Sequence, residues 1–369
     1  MTTARDKRQP HGNFLVLQAV SASLEAGSEP PTRTHSLMTN SYIRKKLAKV
    51  SRRMRRMANR VLGPLPVALP VAKPVAVAPE APAALPDVNF ALIVGAQRSG
   101  TTWLQKLCAA HPDIAGGEES HLFARYLGNL LHTYYTDLAP QDLTALPKGL
   151  ACFLTADEIR EAYRVFALTV FRKMLWAKPG ARFVVEKTPD HVLHLRYIRH
   201  VFPNVKVIHI IRDARDVVVS QMAAAKQSWG ESWAAKTAEE GAQRWTEWVQ
   251  LGREAADTPG LYYEVRYEQL LNNGVETLSG VFAFLGAPMP LERVKGIYDQ
   301  FSLAALKAKT APDPFIRCGE PKKLIHPTAC ADFFRTGQSG GWSGALSAQE
   351  KALVEEIAGP LLKELGYLS

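Results

Sequence analysis

The sequence predicts an α/β domain: a central parallel sheet flanked by helices, with a helical C-terminal part. Three observations predict it. Short apolar, β-branched runs recur at Phe90 to Gly95 (FALIVG), 182–186 (RFVVE), 205–211 (VKVIHII) and 261–267 (LYYEVRY). Stretches of helical period separate them, and alternation of this kind implies parallel strands covered on both faces. After the last run the chain reads as helices and one loop rich in Gly and Ser. In order, the first run feeds a helix over 100–110. The second feeds a helix ending near His200, and the third a helix starting at Asp213. The fourth feeds the C-terminal helices.

Composition bounds what this domain can be. Of 369 residues, 47% are hydrophobic and 22% charged, which is ordinary for a globular chain. No run of about eighteen apolar residues occurs, so a spanning helix is not expected. Cys108, Cys152, Cys318 and Cys330 are scattered without a CxxC pair, which argues for buried reduced thiols and against a disulfide framework or a metal site.

The net charge of +10 is local. Nine cations and no acid lie between Tyr42 and Arg60, whereas residues 88–369 sum to about neutral. A nucleic-acid-binding surface on the folded body is therefore not expected. Ile43, Leu47, Val50, Met54, Met57 and Val61 recur at helical spacing, and Lys and Arg occupy the other face. Such a helix can lie on an anionic membrane surface; a solvated basic arm, or a helix packed on its own domain, fits equally. Residues 63–87 contain seven prolines and read as a semi-rigid spacer. The expected organisation is an extension over 1–62, a linker over 63–87 and a folded domain over 88–369. Translation could also begin at Met38. With no signal peptide or anchor read, the expected location is cytoplasmic, with peripheral membrane contact if the basic helix binds there.

The first strand ends in Gly95-Ala96-Gln97-Arg98-Ser99-Gly100-Thr101-Thr102-Trp103-Leu104. A glycine-bounded loop between strand and helix presents backbone N–H groups and a positive helix end to an anion. Arg98 adds a cation, and Ser99, Thr101 and Thr102 add hydroxyls. Gly95 and Gly100 match the spacing of the nucleotide-triphosphate loop, but Thr101 stands where that pattern has lysine. A Mg-dependent kinase is thereby disfavoured.

GAQRSGTTWL resembles the 5′-phosphosulfate loop of sulfotransferases that use 3′-phosphoadenosine 5′-phosphosulfate (PAPS). Three further segments are similar to motifs of that family, and in its order. IIRDARDVVVSQM would give Arg212 and Ser220 to the 3′-phosphate. YEVRYEQLL would set Tyr267 against adenine. FFRTGQSGGWSGAL would supply Arg335 and Gly337. The resemblance spans about 89–345 and implies a P-loop-like, three-layer fold, PAPS as donor and no metal. It implies cofactor contacts from Arg98, Ser99, Gly100, Thr101, Thr102 and Trp103, although Trp103 could simply pack the core. Arg212 closes a buried strand and should face a cleft, or pair with Asp213 or Asp216.

On the acceptor side, His111-Pro112-Asp113 followed by Gly117-Glu118-Glu119 is similar to tyrosylprotein sulfotransferases. That similarity puts the general base on Glu119. Cytosolic small-molecule members use a histidine after a Lys-Thr pair; here Lys187-Thr188 is followed by Pro189, and His191 falls two residues late. Arg98 and Lys187 would stabilise charge on the transferring group. The acceptor would be a hydroxyl or amine of a glycan, glycolipid or protein tyrosine. Trp229 and Trp233 could stack on a sugar. The competing readings are a P-loop kinase or nucleotide hydrolase, and a non-catalytic nucleotide-binding module.

Overall fold

The computed structural model describes residues 88–138, 149–308, 310–315, 333–334 and 337–368. The chain divides into two units, 1–80 and 81–369, and every described residue belongs to the second. The basic segment 41–62, the proline-rich stretch 63–87, Cys318, Cys330 and Arg335 lie outside the described residues.

Five parallel strands form the sheet: β1 (Phe90–Val94), β2 (Ile114–Gly116), β3 (Phe183–Lys187), β4 (Lys206–Ile211) and β5 (Tyr262–Arg266). Their order is β2-β3-β1-β4-β5. Chain progress reverses at β1, which pairs with β3 on one side and β4 on the other. A parallel sheet opens its ligand crevice at the carboxyl ends of the strands where the order reverses. The loops leaving β1, β3 and β4 all emerge there. Four of the strands follow the sequence reading within a residue or two. β2 was not anticipated, because three residues are too few to show a period.

Pleating sends alternate residues of each strand into opposite layers. Leu92, Val94, Val184, Val207 and Ile211 join one buried cluster. There they meet Phe171 of α3 (Ala156–Trp176), Val217 of α5 (Ala214–Ala225), Trp245 of α6 (Ala238–Glu254) and Leu362 of α11 (Ala348–Glu364). Ala91, Ile93, Val185, Ile208 and Ile210 join the other cluster. That layer is covered by α1 (Thr101–Ala109), α8 (Gly274–Leu285) and α9 (Leu291–Gln300). The remaining α-helices among the described residues are α2 (Gly128–Leu138), α4 (Leu195–Val201), α7 (Tyr267–Asn272) and α10 (Leu303–Lys307). Each fully buried Leu, Ile or Phe contributes about 1.5–3 kcal/mol.

Helix starts follow local capping chemistry. Thr155 with Glu158 and Ser347 with Glu350 form capping boxes at α3 and α11. The stretch after β3 begins as a 3₁₀ turn over Pro189–His194 and becomes α-helical only in α4. Cys108 is buried as expected, whereas Cys152 is exposed on a 3₁₀ turn. No helix among the described residues is long and apolar enough to cross a membrane.

Candidate functional site

The loop after β1 turns tightly and delivers the chain into α1. Gly100 caps that helix at φ 100, with no side-chain cap. A Cβ at Gly100 would lie 2.6 Å from the Tyr267 ring, so only glycine lets the loop approach α7. Without a side-chain cap, the first-turn amides of α1 face the loop with the helix dipole behind them. Arg98 is held at φ 76, a left-handed backbone that costs a non-glycine residue about 1–3 kcal/mol.

One pocket gathers most of the residues singled out in the sequence. Arg98, Gly100, Thr101, Thr102, Trp103, Arg212, Ser220, Tyr267 and Gly337 line it, together with Leu303, Phe333 and Phe334. Arg98 Nε donates to Ser220 Oγ at 3.1 Å, and its Nη2 to the Phe333 carbonyl at 2.5 Å. Arg212, at the end of β4, donates to the Arg98 carbonyl at 3.3 Å and to the Gln338 carbonyl at 2.8 Å. Its Cζ lies 4.4 Å from the centre of the Tyr267 ring. Trp245 Nε1 donates to the Arg212 carbonyl at 2.9 Å, so α6 fixes the strand end that carries the guanidinium. Burial pushes the Tyr267 hydroxyl up to about 12, against the opposing charge of Arg212. It therefore stays a donor, to the Gly337 carbonyl at 2.9 Å.

Two buried donors in this region, Ser99 Oγ and Arg212 Nε, and one acceptor, Gln97 Oε1, have no hydrogen-bond partner. Unpaired buried donors are costly, at about 1–3 kcal/mol each. A hydroxyl, a guanidinium N–H and uncapped helix amides form a donor set that suits a phosphate-bearing nucleotide. The residues present therefore fit the phosphates of an adenine bisphosphate. Trp103 does both things considered for it. Its Nε1 is bonded to the Phe301 carbonyl at 2.9 Å in the core, and it also lines the pocket.

A second group lies at the mouth of β3. Lys187 Nζ bonds Glu119 Oε1 and reaches Thr102 Oγ1 at 3.1 Å. Thr102 thus belongs both to this group and to the pocket. Glu119 Oε2 lies 3.6 Å from His121 Nε2. The Arg98 hydrogen bonds described above run to the Ser220 side of the pocket, although the sequence reading also assigned Arg98 to the reacting group. His191 is fully buried behind β3, with Nδ1 2.8 Å from Glu186 Oε2. Trp229 lies 5.3 Å from Phe333 and 5.5 Å from the Arg98 guanidinium, so this ring walls Arg98.

Sequence reasoning gave Asp216 only as a partner for Arg212, and the two lie 3.7 Å apart. Its main partners are the amides of Gly340, at 2.8 Å, and Trp342, at 3.0 Å, which tie the C-terminal segment to α5. Asp213 pairs with Arg215 instead. Glu268, which accepts from Asp213 N at 3.1 Å, was not singled out.

A family model described as "Sulfotransferase family" matches residues 91–291. The chain belongs to the sulfotransferase family. The matched span includes Arg98, Glu119, Lys187, Arg212, Ser220 and Tyr267. Among similar sulfotransferases, mouse protein-tyrosine sulfotransferase 1 is 30% identical over 136 residues, covering 37% of this chain and 34% of that protein. The protein-tyrosine sulfotransferase of Drosophila melanogaster is 26% identical over 204 residues, covering 55% and 39%. The nodulation protein NoeE of Sinorhizobium fredii is 28% identical over 148 residues, covering 40% and 32%. The chain thus spans about a third of the length of the curated relatives it matches. Among solved structures, mouse sulfotransferase SULT7A1 complexed with PAP, 3′-phosphoadenosine 5′-phosphate, aligns with a TM-score of 0.43. Identity there is 16%, over 76% of this chain and 88% of that one.

Proposed function

We propose that this protein transfers a sulfuryl group to an acceptor hydroxyl, with Glu119 as the general base. The observation that carries the reading is the Glu119–Lys187–Thr102 contact, because it joins a carboxylate to the phosphate-type pocket through one shared residue. PAPS, when bound, supplies the sulfuryl group and leaves as the bisphosphate PAP.

The chain's own residues divide the work. Ser99, Gly100, Thr101 and Thr102 hold the 5′-phosphate with the first-turn amides of α1, and this fixes the line of attack. Arg212 and Ser220 hold the 3′-phosphate, joined by Arg98 through its bond to Ser220. Tyr267 and Trp103 form the adenine side, and Gly337 lines the pocket from the C-terminal segment. Glu119 takes the acceptor proton, a role worth typically 10²–10⁴-fold. Lys187 stabilises negative charge that develops beside Thr102. The acceptor class suggested by the relatives' names is a protein tyrosine; a glycan or glycolipid hydroxyl is the other. The basic segment 41–62 would bring the chain to an anionic membrane surface.

The test is transfer from sulfur-35-labelled PAPS to a tyrosine peptide, a glycan and a glycolipid, beside an assay with labelled ATP and Mg. Label on an acceptor hydroxyl, lost in Lys187→Met, is the expected result. Phosphate transfer or hydrolysis from ATP instead would return the kinase reading. PAP binding with no transfer to any acceptor would favour a binding module.

A further inference from the structure

The geometry points to Glu186 as the positioning residue that holds Glu119 in place, acting through the backbone of the loop that follows it. The inference rests on the sulfuryl-transfer reading for the role of Glu119.

Glu186 and Lys187 end β3, and strand alternation sends them opposite ways. Lys187 meets the Glu119 side chain. Glu186 is fully buried and meets the residues just after it. Glu186 Oε1 accepts from Ser120 N at 3.2 Å, Ser120 Oγ at 2.7 Å and Thr188 Oγ1 at 2.7 Å. Thr188 Oγ1 in turn accepts from His121 N at 3.2 Å. Ser120 Oγ accepts from Leu122 N at 3.1 Å. His191 Nε2 accepts from Phe123 N at 3.2 Å, and its Nδ1 lies 2.8 Å from Glu186 Oε2. The amides of residues 120, 121, 122 and 123 are therefore all engaged by one cluster centred on Glu186. The arrangement of bonds assigns the imidazole proton to Nδ1.

The cluster also accounts for His121. Its backbone is left-handed at φ 49, and with Arg98 it is one of two such non-glycine residues among those described. A strained backbone persists only where its surroundings over-determine it. Burial pushes the Glu186 carboxyl up, but His191, Ser120 and Thr188 outweigh this and bring it down to about 2. Glu186 is thus a fixed acceptor, and the loop has one way to sit. The base is clamped from both sides of a single strand end, by Lys187 on its carboxylate and by Glu186 on its backbone.

Glu186→Gln breaks the clamp with little change in size. The new amide would oppose the His191 Nδ1 proton, donor against donor. Moving that proton to Nε2 would oppose Phe123 N–H instead. Ser120→Ala with Thr188→Val is the second variant, since it removes the bridging hydroxyls and keeps the buried carboxylate. The full chain is measured in three ways: amide hydrogen exchange over 120–123, PAP affinity, and turnover of PAPS with a tyrosine peptide. The inference predicts exchange over 120–123 at least about tenfold faster in both variants, on the scale of local opening. Turnover would fall about 100-fold, as for a reacting group displaced by about 1 Å, while PAP affinity stays within about twofold. Unchanged exchange in both variants would overturn it. So would a fall in PAP affinity that matches the fall in turnover, because the residue would then support the whole pocket. A wild-type chain that transfers nothing from PAPS contradicts the proposed function instead, and amide exchange alone then judges the clamp.

Discussion

Glu119 carries the sharpest expectation at the residue scale. It does not line the pocket that holds Arg98, Arg212 and Ser220, so Glu119→Gln should leave PAP affinity within about twofold while turnover falls by about 10²–10⁴. Calorimetry with PAP and a labelled-transfer assay check the two halves. Equal losses in both would show that Glu119 supports binding rather than proton removal. How legible these residues were differed by residue type. Arg98 and Arg212 stand out unaided, because a cation at the end of a buried strand or in a glycine-bounded loop needs a partner. Glu119 reads alone as a surface carboxylate, and only resemblance singled it out. Asp216 was half-legible: its i+4 spacing gives the Arg212 contact, but not the two amides of a segment more than a hundred residues away.

Elements add a second kind of prediction. α6 packs on β4 so closely that a Cβ at Gly252 would lie 2.3–2.7 Å from the His209 ring. Gly252→Ala should therefore destabilise the protein by about 1–3 kcal/mol, the usual cost of overpacking, read from chemical denaturation. No loss would mean that the helix shifts freely. In the first turn of α5, Asp216→Asn removes one of the two acceptors that hold Gly340 and Trp342. Amide exchange over 338–344 should rise and PAP affinity fall about tenfold, because Arg212 is bonded to the same segment at Gln338. β1, β3, β4 and β5 were legible because β-branched runs between turn residues leave few other readings. β2 was not, because its pairing with β3 is decided by the sheet and not by its own three residues.

For the whole molecule, buried titratable groups set the response to acid. Burial holds His194 down at about 4, helped by His191 and His132, and His209 at about 3, helped by Arg253 and Arg266. Glu186, outweighed by its partners, sits at about 2. In all three the folded state binds its proton later than the unfolded chain, where histidine titrates near 6.5 and glutamate near 4.5. As pH falls, the unfolded state takes up protons first, so stability is lost. The melting temperature should fall steadily from about pH 6.5 downward, and less steeply in His209→Gln. A melting temperature that rises on acidification would contradict this assignment.

Arg98, Arg212 and Ser220 line the pocket that we propose holds an adenine bisphosphate. Calorimetric titration with PAP, beside ATP–Mg, on the wild type and Arg212→Ala tests it most directly. Micromolar binding of PAP, weak or no binding of ATP–Mg, and loss of PAP binding in the variant are expected. Tighter binding of ATP–Mg, or PAP binding indifferent to Arg212, would contradict it.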